Sequence, residues 1–271
     1  MHDVPLNQAV GLLGLAAPLA PQLLAVVSHG DARTEQPLLW QLSSALSELG
    51  YSVTVLDATM SETVNNPGLQ QLLDYQFGHS ALEDDGPAWN VLPAAMGLQS
   101  LCAPGAKPAH SLQRLGQALQ SSGVLVLYAG SDVLIRLLGG STVRPLLSVS
   151  GEKSSLLTSY LALKRLLRKG RLEPTILNMM QDAAQGTGAA GVAHALRECA
   201  RNFLAYDVRP VRIDPLQPEA HIEADMRRLV TRLLEHAMPL PCGTAQEDAG
   251  FEQSAERPRE RVRFGEMSRS H

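Results

Sequence analysis

The sequence predicts an α/β fold, a mostly parallel sheet flanked by helices on both faces. Three observations predict it. Short, fully apolar runs alternate with segments of helical periodicity, the pattern of strands buried on both sides. The first strand, loop, helix and strand occupy about thirty residues, the size of a right-handed parallel crossover unit. The chain has 271 residues, 45% of them hydrophobic, which is enough to bury one large core.

Leu23 to Val27 reads as the first strand, bounded by Pro21 and by Ser28-His29-Gly30. Leu38 to Leu49 shows helical spacing with Gly50 as its stop, and Val53 to Leu56, ending in Asp57, is the next strand. Leu69 to Leu73 is helical, Val91 to Pro93 a short strand, Ser111 to Leu119 a helix, and Val124 to Leu127 a strand. Arg144 to Val149 reads as strand, Ser154 to Leu167 as helix closed by Gly170, Thr175 to Asn178 as strand and Val192 to Leu204 as helix. Val208 to Ile213 adds a last strand and Ala224 to His236 a last helix. The division that follows is an N-terminal helical segment over 1–20, an α/β domain over 21–241 and a charged, disordered tail over 242–271, where Glu and Arg interleave without apolar periodicity.

A formal net charge of -4 gives no bulk attraction for a polyanion, so no nucleic-acid partner is expected. Cys102, Cys199 and Cys242 lie far apart and form no metal or disulfide motif. Residues 9–27 are apolar but lack a leading cation and contain Pro18 and Pro21, which argues against export and for the cytoplasm. The histidines form no recognisable triad spacing with Ser and Asp, and the glycine-rich run Gly186 to Gly191 reads as a connection to the next helix.

Ligands of such folds collect where strand carboxyl ends meet helix N-termini, so the loop Ser28 to Pro37 decides the chemistry. A phosphate-binding loop needs glycines that free backbone amides, a Lys for the β and γ phosphates, and a Ser or Thr hydroxyl for magnesium. Ser28-His29-Gly30-Asp31-Ala32-Arg33-Thr34-Glu35-Gln36-Pro37 offers one glycine and two acids.

The segment Ser28 to Asp57 resembles the opening of the MinD/ParA family of P-loop ATPases, which carries a deviant Walker A loop K-G-G-x-G-K-[ST], a helix with N-L-A and L-x-x-x-G, and a strand ending in D-x-D. Ser28, Leu42, Ala45-Leu46, Gly50 and Leu56-Asp57-Ala58 fit this framework. The family's signature lysine falls on Gly30, its two glycines on Asp31 and Ala32, its invariant lysine on Glu35 and its magnesium-binding hydroxyl on Gln36. Thr59 falls on the second Asp of D-x-D and Tyr128 on the Walker B aspartate. The resemblance implies a P-loop NTPase-like three-layer sandwich. ATP and Mg2+ are the family's cofactors, but with Glu35 in the lysine position neither is expected here, because a carboxylate repels a triphosphate. Asp57 remains, either as a remnant metal-side acid or as the cap of its own turn.

Further matches are similar to the flagellar-number regulators FlhG and FleN. Leu6 to Leu12 resembles the D-Q-A-x-G-L-R segment, with Gln8, Gly11 and Leu12 matching and Asn7 and Leu13 replacing its acid and arginine. Val91 to Gly97 resembles L-P-A-x-S-G, Ser148 to Lys164 the T-T-P-E-P-T-S stretch and its helix, and Thr175 to Asn178 the strand whose terminal Asn faces adenine. What this implies is a non-hydrolysing pseudo-ATPase that binds proteins in flagellar placement or number control. Its partners would be an FlhF-like GTPase or flagellar components, met through Gln8, Gly11 and Leu12. The alternative is a weakly ATP-binding relative in flagellar, pilus, cellulose or partition machinery, with Arg33 supplying the cation. Whether the chain forms a homodimer stays open. Ala224 to His236 has two readings, a cover for the sheet or an amphipathic helix peripheral to the inner membrane.

Overall fold

The computed structural model describes residues 20–74, 89–179, 188–214 and 217–242. The N-terminal segment with Gln8, Gly11 and Leu12, and the tail from 243 onward, lie outside the described residues.

Among the described residues eight strands form one sheet: β1 (Gln22–Ser28), β2 (Val53–Asp57), β3 (Trp89–Pro93), β4 (Val124–Gly130), β5 (Leu146–Val149), β6 (Thr175–Met179), β7 (Val211–Ile213) and β8 (Met238–Pro239). The order is β3-β2-β4-β1-β5-β6-β7, all parallel, and β8 pairs antiparallel with the start of β1. The helices are α1 (Ala32–Glu48), α2 (Leu69–Leu73), α3 (Ala95–Leu101), α4 (Pro108–Ala118), α5 (Ser131–Leu138), α6 (Lys153–Arg165), α7 (Gly188–Leu204) and α8 (Glu219–Leu234).

The strands separate two cores because their side chains alternate between faces. Leu24 and Val26 join Val55 and Val126 under α1 and α8, where Leu38, Leu42, Leu46, Met226, Leu229 and Leu233 are buried. Leu23, Ala25 and Val27 join Leu125 and Leu127 under the other helices, where Leu98, Leu115, Leu134, Leu163 and Leu196 close the layer. This is why β1, β2 and β4 read as continuous apolar runs: each is buried on both sides.

All seven parallel strands expected from the sequence are present, although β5 and β7 begin at Leu146 and Val211 rather than at Arg144 and Val208, and β3 begins at Trp89 rather than Val91. α1 begins at Ala32, not Leu38, and holds Pro37 inside it. Pro37 is the sixth residue of α1, beyond the first turn, so it removes one intrahelical donor rather than filling the entry position. Gly50, at φ +88, supplies the left-handed residue that ends α1 as expected. α3 and α5 are short helices the periodicity did not resolve, and β8 is too short to show as a pattern. α6 runs on through a π-helical turn, Leu166–Gly170, and ends at the left-handed Arg171, φ 51. α8 settles its two readings: Met226, Leu229, Val230 and Leu233 are buried against the sheet, so its apolar face is not available to a membrane.

Leu42 lies at the centre of the α1 core with 0% exposure. Leu42→Ala is expected to lower stability by about 2–5 kcal/mol, read as a lower urea midpoint with an unchanged slope.

Candidate functional site

The order of strands places β4 on one side of β1 and β5 on the other, so their carboxyl ends lie at the switch point where open α/β sheets bind ligands. The loop leaving β1 turns through Gly30, whose φ of +94 only glycine adopts readily, and enters α1 with Asp31 as its N-cap. The Asp31 side chain makes no capping bond. The amides at this helix entrance are instead served by Glu35, one turn further on.

Glu35 is fully buried, with 0% exposure. Its Oε1 accepts the backbone N–H of His29 at 3.0 Å and that of Asp31 at 3.1 Å. Its Oε2 accepts the phenolic hydrogen of Tyr128 and lies 3.4 Å from the Ser28 hydroxyl. The carboxylate thus sits at a helix N-terminus, the end of the dipole that favours an anion, with two loop amides directed at it. These are the features by which such a loop holds a phosphate.

His29 and Tyr128 complete the surround. The His29 side chain is 2% exposed, and its Nε2 lies 3.0 Å from the Ser148 carbonyl and 3.3 Å from Glu35 Oε1. Both neighbours are acceptors, so Nε2 carries the hydrogen; Nδ1 meets the Thr158 hydroxyl at 2.9 Å. This ring joins β1 to β5 and α6 at that switch point. Burial pushes the Tyr128 phenol well above its usual range, and the Glu35 carboxylate adds to the shift, so the hydroxyl remains a donor.

The other residues singled out from the sequence divide into groups. Ala32 and Gln36 are exposed on the first turns of α1 and touch none of this network. Arg33 is 87% exposed on its side chain and lies 3.7 Å from Glu152. Asp57 is buried, and its Oδ1 accepts the Thr59 amide at 2.8 Å and the Thr59 hydroxyl at 2.6 Å. These two bonds are those of a cap on its own turn. Asn178, the penultimate residue of β6, has 0% exposure, and neither side-chain polar atom has a described partner.

A second carboxylate, Glu62, was not visible as a site residue in the sequence. It is 5% exposed and accepts the amides of Met96 at 2.7 Å and Gly97 at 2.8 Å at the start of α3. Gly97 is needed there, since a Cβ would come within 2.6 Å of the Leu69 side chain. No cluster of three His, Cys, Asp or Glu at metal-binding distance occurs among the described residues.

No protein-family model matches the chain, and no curated protein matches it significantly. Solved structures do. The cobyrinic acid a,c-diamide synthase from Mycobacterium smegmatis with bound ATP analog and magnesium aligns with a TM-score of 0.51 and 15% identity, over 80% of this chain and 95% of that one. The MinC:MinD cell division complex of Aquifex aeolicus gives 0.49 and 11%, over 81% and 98%, and MinD complexed with Mg-ADP from Pyrococcus horikoshii gives 0.48 and 16%, over 79% and 95%. At such identities the likeness shows the fold alone: a parallel sheet flanked by helices, shared with the cobyrinic acid a,c-diamide synthase.

Two outcomes follow for the Glu35 network. Tyr128→Phe removes one buried donor to a carboxylate and is expected to reduce stability by about 1.5–3 kcal/mol in urea unfolding. The wild-type advantage over Tyr128→Phe should be constant below pH 10, the phenol's ordinary value, and shrink above it. There the unfolded chain loses its Tyr128 proton first, which favours unfolding by about 1.4 kcal/mol per pH unit. An advantage that grew with alkaline pH would contradict the donor role.

Proposed function

We propose that this chain is a non-hydrolysing MinD/ParA-like pseudo-ATPase that works as a protein-binding regulator in flagellar placement or number control. The observation that carries the first half is Glu35: a buried carboxylate already holds the amides of His29 and Asp31. ATP and Mg2+ do not fit the residues present. A triphosphate would have to displace Glu35 from four donors, and no lysine replaces the charge it brings. Gln36 stands where a magnesium-binding hydroxyl is needed and is exposed, while Tyr128, at the Walker B position, presents a hydroxyl hydrogen where an acceptor is needed. Degeneracy of this kind leaves the fold intact because the same atoms satisfy one another.

The flagellar assignment rests on the matches of Leu6 to Leu12, Val91 to Gly97 and Ser148 to Lys164 to the FlhG and FleN branch. We assign residues 1–20 as the partner-binding segment, with Gln8, Gly11 and Leu12 as its contacts, and 21–241 as the folded body. The partner class is an FlhF-like GTPase or another flagellar component, met in the cytoplasm, and nucleic acid is not a partner. Among the described residues no helix is long and apolar enough to cross a membrane.

Isothermal titration with ATP and magnesium is expected to give no saturable heat, and purified protein no turnover above background. Turnover that Glu35→Ala alters would overturn the pseudo-ATPase reading. Deleting residues 1–20 should abolish capture of an FlhF-like GTPase by the full-length protein. Undiminished capture would discard the N-terminal contact and leave the nucleotide question untouched.

A further inference from the structure

The outer surface of the α1 and α8 layer holds a cleft of about 470 Å3. Trp40 stands at its wall, 63% exposed, with its ring edge-on to that of Trp89 at 4.9 Å and 84°. Glu48, Glu219 and Glu223 line it, together with Gln41, whose side-chain oxygen is shut off from solvent and accepts no hydrogen bond. The polar groups named here are acceptors, and no Lys or Arg is among the lining residues. An indole face beside carboxylates is the chemistry that receives a guanidinium, which is planar, weakly hydrated and rich in donors. One guanidinium already comes near: Arg227 lies 3.4 Å from Glu48.

The chain carries its own complement. Arg257, Arg259, Arg261 and Arg263 occur at alternate positions, against Glu256 and Glu260 nearby, and Val262 and Phe264 follow among them. In an extended backbone, alternate residues share one side, so the four arginines would face a common surface. From residue 242 to 257 the chain can reach up to about 50 Å, comparable with the diameter of a domain of this size. We infer that the segment 257–263 docks in the Trp40 cleft, its arginines meeting Glu48, Glu219 and Glu223 and covering the indole. This inference is independent of whether nucleotide binds.

Trp40 and Trp89 are the two tryptophans of the chain, so intrinsic fluorescence reports on this cleft directly. The experiment compares acrylamide quenching of the full-length protein with that of a full-length variant in which Arg257, Arg259, Arg261 and Arg263 are all changed to Ser. Quenching is expected to rise on the order of twofold in the variant as the indole face is uncovered. Salt of about 0.5 M should raise it in the wild type in the same direction. A synthetic peptide of residues 254–266 added to the variant should lower it again, and should fail when Glu219→Lys and Glu223→Lys are also present. Equal quenching in wild type and variant, with no response to the peptide, would overturn the inference. Quenching that instead depends on protein concentration, with a doubled mass in light scattering, would assign the cleft to a second copy and also overturn it.

Discussion

A buried carboxylate held by the entrance of a helix is the interaction on which this site depends. Glu35 lies one turn inside α1, yet its oxygens reach back to the amides of His29 and Asp31 and across to the hydroxyl of Tyr128. The Tyr128 donor is buried and the two amides are part-buried, and an unpaired buried donor costs about 1–3 kcal/mol. The loop therefore closes on an anion of its own. The Gly30 turn and the hydrogen-bonded His29 ring, which ties β1 to Ser148 and Thr158, hold the loop in the shape that brings those amides together.

Glu62 repeats the device at the start of α3, where it accepts the amides of Met96 and Gly97. Two helix entrances near the carboxyl edge of the sheet are thus filled from within by carboxylates. In an α/β sandwich such entrances are the natural seats of anionic ligands. Here the same electrostatics is spent on joining the loops to the sheet, a stabilising role that needs no ligand.

Much of the fold was legible because β1, β2 and β4 are buried on both faces, and double burial writes itself into sequence as unbroken apolar runs such as Leu23 to Val27. The start of α1 was not, since its first turn, Ala32 to Glu35, buries only the polar Thr34 and Glu35 and so carries no apolar period. β8 stayed hidden because two residues have no period. At the site, the resemblance to the MinD/ParA family set Glu35 and Tyr128 against a lysine and an aspartate, and Glu35 was expected to repel a triphosphate. It did not show that the two replacements meet. The chemistry of the pair was compatible with a contact, since a phenol is a donor and a carboxylate an acceptor, and in the structure the Tyr128 hydroxyl donates to Glu35. Glu62 gave no signal, because its partners Met96 and Gly97 contribute only backbone amides, which any sequence supplies.

The most direct measurement is of the amide resonances of His29 and Asp31 in 15N-labelled protein, with and without Mg-ATP. If Glu35 holds these amides, their protons resonate downfield, as expected of hydrogen bonds to a charged acceptor, and do not move when nucleotide is added. Saturable movement of both resonances with Mg-ATP, at concentrations where Glu35 is displaced, would contradict the account.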